Sequence, residues 1–188
     1  MDHYLDIKIL PDPEFPAPTL MNALFAKLHR LLVQLDTKAI GVSFPKVDQG
    51  HPNIGELMRL HGSGQGLEQL QNQSWLKGMR DHIEMSAITP VPDNAQHCRV
   101  KRIQVKSSAE RLRRRYQKRH PGVTEQEAKG IYPDTVEKRT PLPYLQLKSE
   151  STGQQFRLFL EHQTPQQQMV AGEFNSYGLS STATIPWF

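Results

Sequence analysis

The stretch from residue 99 to 120 limits the fold more than any other, because it holds ten Lys or Arg (99, 101, 102, 106, 111, 113, 114, 115, 118 and 119) against one acid, Glu110. The cores are expected from segments on either side of it, such as Leu20 to Leu35 and Phe156 to Leu160. The 188-residue chain has a formal net charge of only +4, so the +9 of this segment is set against −5 elsewhere. A block this dense repels itself unless a polyanion neutralises it, and nucleic acid is the commonest such partner. A merely solvated helix face would normally intersperse acids.

Before the block, residues 3–10 place Leu5, Ile7 and Ile9 on one side of an extended segment that Pro11 and Pro13 end. Thr19 is placed to cap a helix in which Leu20, Leu24, Leu28, Leu31, Leu32 and Leu35 recur at three- and four-residue spacing. Ile40, Val42 and Phe44 alternate before Pro45, and residues 56–61 alternate again, which predicts two strands. Leu67, Leu70, Trp75, Leu76 and Met79 predict a second helix, broken or shifted near Ser74, and residues 82–88 return as a strand. The order βαββαβ is the ferredoxin-like arrangement. Pro90, Pro92, Asp93 and Asn94 mark a linker, so the expected domains are 1–94 and 95–188 in an α+β chain.

In the second region, residues 98–105 read as extended, and Ser107 with Glu110 makes a capping box for a helix from about 108 to 120. A short helix starts at Thr124 with Glu127 as its box acid, and residues 143–149 and 155–161 form a hairpin around Ser151-Thr152-Gly153-Gln154. The smaller C-terminal domain is thus expected to carry the arginine-rich helix and a β-hairpin. The turn-rich tail from Tyr177 ends in apolar Trp187-Phe188, which predicts docking rather than a free end. The lone Cys98 excludes an internal disulfide and a multi-thiolate metal site, and it reads as a small half-buried strand residue. No apolar run approaches a membrane span and Met1-Asp2-His3-Tyr4 does not open a secretory signal, so a soluble, cytoplasmic protein is expected.

On the basic helix, Arg111, Arg114, Arg115, Lys118 and Arg119 share one face and Ala109, Leu112 and Tyr116 another, so one face docks and the other is cationic. Such a stripe matches the phosphate rows beside a nucleic-acid groove, without choosing RNA over DNA. Arg102 and Gln104 lie two apart and project to one side of an extended backbone, where Arg suits the O6/N7 edge of guanine and Gln the N6/N7 edge of adenine. In A-form RNA the major groove is too narrow for this readout, so a hairpin end or open pair is implied.

His29 sits at the border of the apolar stripe of the first helix, one of eight histidines, and a rim histidine of this kind is most often structural. No HExxH, paired His/Cys spacing or acidic ligand cluster supports a metal nuclease, which leaves acid–base chemistry by side chains and no cofactor. Ser149 and Ser151 flank Glu150 at the hairpin turn, suited equally to touching a ribose or phosphate and to forming the turn. Phe156 could stack a base, although an alternating aromatic in a strand is more often core.

Several motifs in order, MDHYLDI, PDPEFP, FAKLH around His29, IGVSFP at 40–45, RIQVKS, ERLRRR, STGQQFRLF, YGLS and PWF, resemble the repeat-processing endoribonucleases of type I-F CRISPR systems over the whole chain. The resemblance implies an N-terminal ferredoxin-like domain and a smaller C-terminal domain carrying the arginine-rich helix. It implies His29 as the acid–base residue, Ser149 as the holder of the nucleophilic ribose, Tyr177 as an orienting residue and Ser151 as an accessory contact. It also places Arg102 and Gln104 on bases at the foot of a stem, Arg115 and Arg119 on or near its groove, and Phe156 against a terminal base pair. Two departures stand out. Lys118 replaces the usual arginine, giving a point charge without a bidentate fork, and the tail has only Gly172 and Gly178 where the wider superfamily often carries a glycine-rich loop.

The activity so implied is metal-independent cleavage of precursor CRISPR RNA at the 3′ base of the repeat stem, by attack of a ribose 2′-OH that leaves a 2′,3′-cyclic phosphate, with the product retained. The implied partners are the CRISPR repeat hairpin and the type I-F surveillance complex. The rivals are a non-catalytic RNA-hairpin-binding subunit, for which the basic helix would suffice, and a DNA-binding regulator, which lacks a helix-turn-helix pattern.

Overall fold

The computed structural model describes residues 1–47, 52–105, 109–136, 140–150 and 152–188. The chain divides by its contacts into two compact units, Met1–Ile103 with Leu142–Phe188, and Gln104–Pro141. The architecture is α+β, with antiparallel sheets and helices.

The larger unit begins β1 (His3–Ile9), α1 (Ala17–Leu35), β2 (Gly41–Ser43), β3 (Leu57–Gly62), α2 (Gly64–Gln71), β4 (Ile83–Met85) and β5 (Thr89–Pro90). The strands form an antiparallel sheet in the order β2-β3-β1-β4, with β5 also on β1. Leu5 faces Leu60 and Ile7 faces Met58 across the β1–β3 ladder, so the alternation seen in the sequence falls on one buried side. The stripe of α1, from Leu20 to Leu32, is buried in the same core. Along β1, Ile7 opposes Met85 whereas Tyr4 opposes Thr89, so the returning chain carries one extra residue. Ser86 fills that bulge by accepting the Asp6 N–H on its hydroxyl and donating its own N–H to the Asp6 carbonyl.

Two expectations need correction, and a third gains detail. Helix α1 starts before Thr19, at Ala17, with Pro16 as its cap residue and no side-chain cap. A proline in the first helical turn loses no bond there and presets φ, so Pro18 opens the helix without a capping hydroxyl. The second helix ends at Gln71, where Ser63 caps its start by accepting the Gly66 N–H, and Trp75, Leu76 and Met79 pack from turns rather than from a continued helix. The extended segment at 98–105 is shared between two sheets, since β6 (Gln96–Cys98) pairs with β10 (Ile185–Trp187), while β7 (Val100–Ile103) joins β8 (Tyr144–Lys148) and β9 (Gln155–His162) in the order β7-β9-β8.

The β8–β9 hairpin forms around the predicted turn. It belongs to the same unit as the N-terminal sheet, and α1 packs on both β1 and β8. The apolar end of the chain docks as expected, with Trp187 in β10 and the Phe188 carbonyl accepting from Arg59 at 3.1 Å.

The smaller unit consists of α3 (Ala109–Arg119), α4 (Glu125–Ile131) and a 3-10 turn at Asp134–Val136. Thr124 and Glu127 form the predicted capping box of α4. Ser107, the predicted cap of α3, lies outside the described residues.

Candidate active site

His29 is half-buried at the rim of α1, as its place beside the apolar stripe dictates. Its Nδ1 lies 2.8 Å from the Ser176 carbonyl oxygen. A carbonyl only accepts, so Nδ1 carries the hydrogen, and in the neutral ring the lone pair is then on Nε2. The Tyr177 ring lies parallel to the imidazole, 4.1 Å between centroids, and Phe25 from α1 lies parallel to Tyr177 at 6.3 Å.

The loop carrying Ser176 and Tyr177 is fixed by its own hydrogen bonds. Asn175 Oδ1 accepts from the Tyr177 N–H at 2.9 Å and the Leu179 N–H at 3.2 Å. The Gly178 carbonyl accepts from the Val42 N–H at 2.8 Å, which ties the loop to β2. Gly178 has φ +69°, and a Cβ there would collide with Val42 Cγ2. Only glycine fits both demands.

Arg102 on β7 is exposed, its guanidinium carbon 5.9 Å from the Tyr177 ring centre and 5.8 Å from that of Phe156. Phe156 is half-buried and packs at the margin of the core, which satisfies the core reading while leaving an edge open. The fold therefore gathers four residues singled out in the sequence, His29, Tyr177, Arg102 and Phe156. Ser149 lies in the β8–β9 turn, where its Oγ accepts from the Thr152 N–H at 3.3 Å and its N–H donates to the Gln154 carbonyl. The neighbouring Glu150 pairs at 3.4 Å with Arg30, the residue after His29. Both partners are exposed, so the pair adds little stability, but it links the turn to α1. Ser151 lies outside the described residues.

Four other described histidines are engaged elsewhere. His61 is buried against Ser43 Oγ and burial pushes its pKa down to about 3. His162 accepts the Phe44 N–H and burial pushes it down to about 4. His82 pairs with Asp12, and His120 lies against Tyr116. Cys98 is buried and its thiol is pushed up to about 11, so it is inert packing. Among the described residues no group of three His, Cys, Asp or Glu side chains is arranged to hold a metal ion.

In the smaller unit, Arg111, Arg114, Arg115, Lys118 and Arg119 are all exposed along α3, with Arg114 bonded to Glu110 at 2.9 Å. Arg113 is turned the other way. It is buried, donates to the Tyr132 carbonyl at 2.8 Å and pairs with Asp134. Gln104 is exposed just past the end of β7.

Sequence reasoning passed over Asn175, the Ser176 carbonyl and the clamp made by Arg113. The Asn175-x-x-Gly178 spacing was a turn signal, but nothing local said that the turn would meet α1.

A profile of the CRISPR-associated protein family (Cas_Csy4) matches residues 4–188. The chain belongs to that family. Its relatives include two proteins called CRISPR-associated endonuclease Cas6/Csy4. The one from Pseudomonas aeruginosa (strain UCBPP-PA14) is 46% identical over 188 residues, and the one from Escherichia coli (strain UTI89 / UPEC) is 49% identical over 190. Each alignment covers 100% of both chains, so the Csy4-family match takes in the gathered site and the basic helix alike.

Proposed function

We propose that this chain is a metal-independent endoribonuclease that binds the stem-loop of a CRISPR repeat and cuts precursor CRISPR RNA at the 3′ base of the stem. The observation that carries the reading is the hydrogen bond from His29 Nδ1 to the Ser176 carbonyl, which leaves Nε2 as a proton acceptor on an imidazole stacked against Tyr177. Membership of the Csy4 family and the endonuclease names of the relatives support it.

In the proposed reaction His29 Nε2 takes the proton of a ribose 2′-OH, and the oxygen attacks the adjacent phosphorus. The bond to the 5′ oxygen of the next nucleotide breaks, giving a 2′,3′-cyclic phosphate and, once that oxygen is protonated, a 5′-OH. General acid–base help of this kind is worth roughly a hundred- to ten-thousandfold. Ser149 holds the ribose, with Ser151 as an accessory contact, and Tyr177 keeps the imidazole in plane. Arg102 and Gln104 read bases at the foot of the stem, while Phe156 covers the terminal pair. The exposed cations of α3, Arg111, Arg114, Arg115, Lys118 and Arg119, follow the phosphates.

The strand order β2-β3-β1-β4 within βαββαβ supports a ferredoxin-like reading of the N-terminal part. On this reading residues 1–94 supply His29, and residues 95–188 supply the RNA contacts together with Ser149 and Tyr177. The protein would act in the cytoplasm as a subunit of the type I-F surveillance complex, keeping its cut hairpin and needing no cofactor. No described helix is long and apolar enough to cross a membrane.

Single-turnover cleavage of a cognate hairpin in excess EDTA tests the reading. The wild type should cut, His29→Ala should bind but not cut, and a 2′-deoxy at the scissile nucleotide should give a bound, uncut complex. Loss of wild-type cutting in EDTA, or normal cutting by His29→Ala, would overturn the mechanism. Tight binding without cutting would favour a non-catalytic hairpin-binding subunit.

A further inference from the structure

We infer that Asn175 is a positioning residue that selects the working tautomer of His29, an inference that rests on the proposed role of His29 as the base. The acceptor that takes the His29 Nδ1 hydrogen is a main-chain carbonyl, Ser176, so its direction depends on the backbone around it. Asn175 determines that backbone at four points. Its Oδ1 accepts the N–H groups of Tyr177 and Leu179, its own N–H donates to the Leu179 carbonyl at 2.9 Å, and its carbonyl accepts the Gly178 N–H at 2.8 Å. Ser176 and Tyr177 are thus enclosed in a five-residue turn closed from Asn175 to Leu179, with an asparagine side chain standing in for a missing backbone acceptor.

Two contacts to His29 leave this turn, the Ser176 carbonyl at Nδ1 and the Tyr177 ring on the imidazole face. A free neutral histidine favours hydrogen on Nε2, which would leave no lone pair there for a ribose hydroxyl. The Ser176 carbonyl reverses that preference only while it points at Nδ1. Asn175 is itself exposed, whereas Phe174 before it and Leu179 at the far end of the turn are buried. Truncating its side chain therefore opens no cavity, and the anchoring of Gly178 on Val42 persists. What disappears is the hold on the Tyr177 and Leu179 N–H groups, and with it the aim of the carbonyl. The bonds of Asn175 stay within the turn, so its proposed effect on the reaction passes through His29.

The experiment compares Asn175→Ala with Asn175→Asp, which keeps an oxygen where Oδ1 stands, in the full chain. Nitrogen-15 NMR of histidine-labelled protein at a pH where imidazoles are neutral should place the His29 hydrogen on Nδ1 in the wild type and move it toward Nε2 in Asn175→Ala. Single-turnover cleavage should fall about tenfold or more, while affinity for an uncleavable 2′-deoxy hairpin stays within about threefold. Asn175→Asp should recover the tautomer and most of the rate. A wild-type tautomer and rate in Asn175→Ala would overturn the inference. So would a loss of hairpin binding in step with cutting, which would mark a general structural role. His29→Ala separates the two levels of argument: if it cuts normally the base assignment fails, and if it is inactive while Asn175→Ala cuts normally only the role of Asn175 fails.

Discussion

The imidazole of His29 and the phenol ring of Tyr177 are 6° from parallel with their centroids 4.1 Å apart. Stacking of this kind contributes about 0.5–1.5 kcal/mol beyond area burial. If Tyr177 works by holding the imidazole plane, Tyr177→Phe should cut at nearly the wild-type rate and Tyr177→Ala about tenfold more slowly. Hairpin affinity should be unchanged in both. A large loss in Tyr177→Phe, read by single-turnover cleavage, would assign the work to the hydroxyl instead.

Gly178 stands at positive φ with its α-carbon against Val42. Gly178→Ala should therefore lower stability by about 1–3 kcal/mol and slow cleavage, because relieving the clash shifts Tyr177 and the Ser176 carbonyl. Chemical denaturation and cleavage assays on the same preparation check this. A variant as stable and as active as the wild type would show that the turn tolerates displacement.

The arginines of α3 divide by their surroundings into two kinds. Arg115 and Arg119 are exposed, so alanine there should weaken all hairpins, with the log–log salt slope of binding reduced by roughly 0.7–0.9 for each phosphate that is no longer neutralised. Arg113 is buried against Tyr132 and Asp134. Arg113→Ala should lower stability by about 1–3 kcal/mol through the unpaired Tyr132 carbonyl, with the salt slope little changed. Equal slope changes in Arg113→Ala and Arg115→Ala would refute the division.

His61 and His162 predict acid sensitivity of the fold. Burial holds their folded pKa values near 3 and 4, whereas an unfolded histidine titrates at about 6.5. Below about 6.5 the unfolded chain takes up protons that the folded chain refuses, so stability is full above that pH and falls as the pH drops toward 4. Each group can contribute up to about 1.4 kcal/mol per pH unit across that window. The denaturation midpoint should hold between pH 8 and 7 and fall clearly by pH 5. A midpoint unchanged at pH 5 would show that these imidazoles are not excluded from protons.

The sequence alone determined the elements whose signals are local. Leucines at three- and four-residue spacing fix the buried face of α1, alternation fixes β1 and β3, and Thr124 with Glu127 fixes the start of α4. Helical spacing likewise put Arg111, Arg114, Arg115, Lys118 and Arg119 on one cationic face. Arg113 escaped that reading, because which arginine of a run turns inward depends on a carbonyl nineteen residues away in the chain. His29 drew only weak notice from its rim position and owed its expected role to resemblance. What gives it chemical meaning is the Ser176 carbonyl, 147 residues along the chain, delivered by a turn that Asn175 closes and Gly178 pins to β2. Periodicity reports what each residue wants from its own helix or strand. Only the packing of α1 beside the C-terminal loop decides which distant backbone atom meets the imidazole, and hence which of its nitrogens keeps a lone pair.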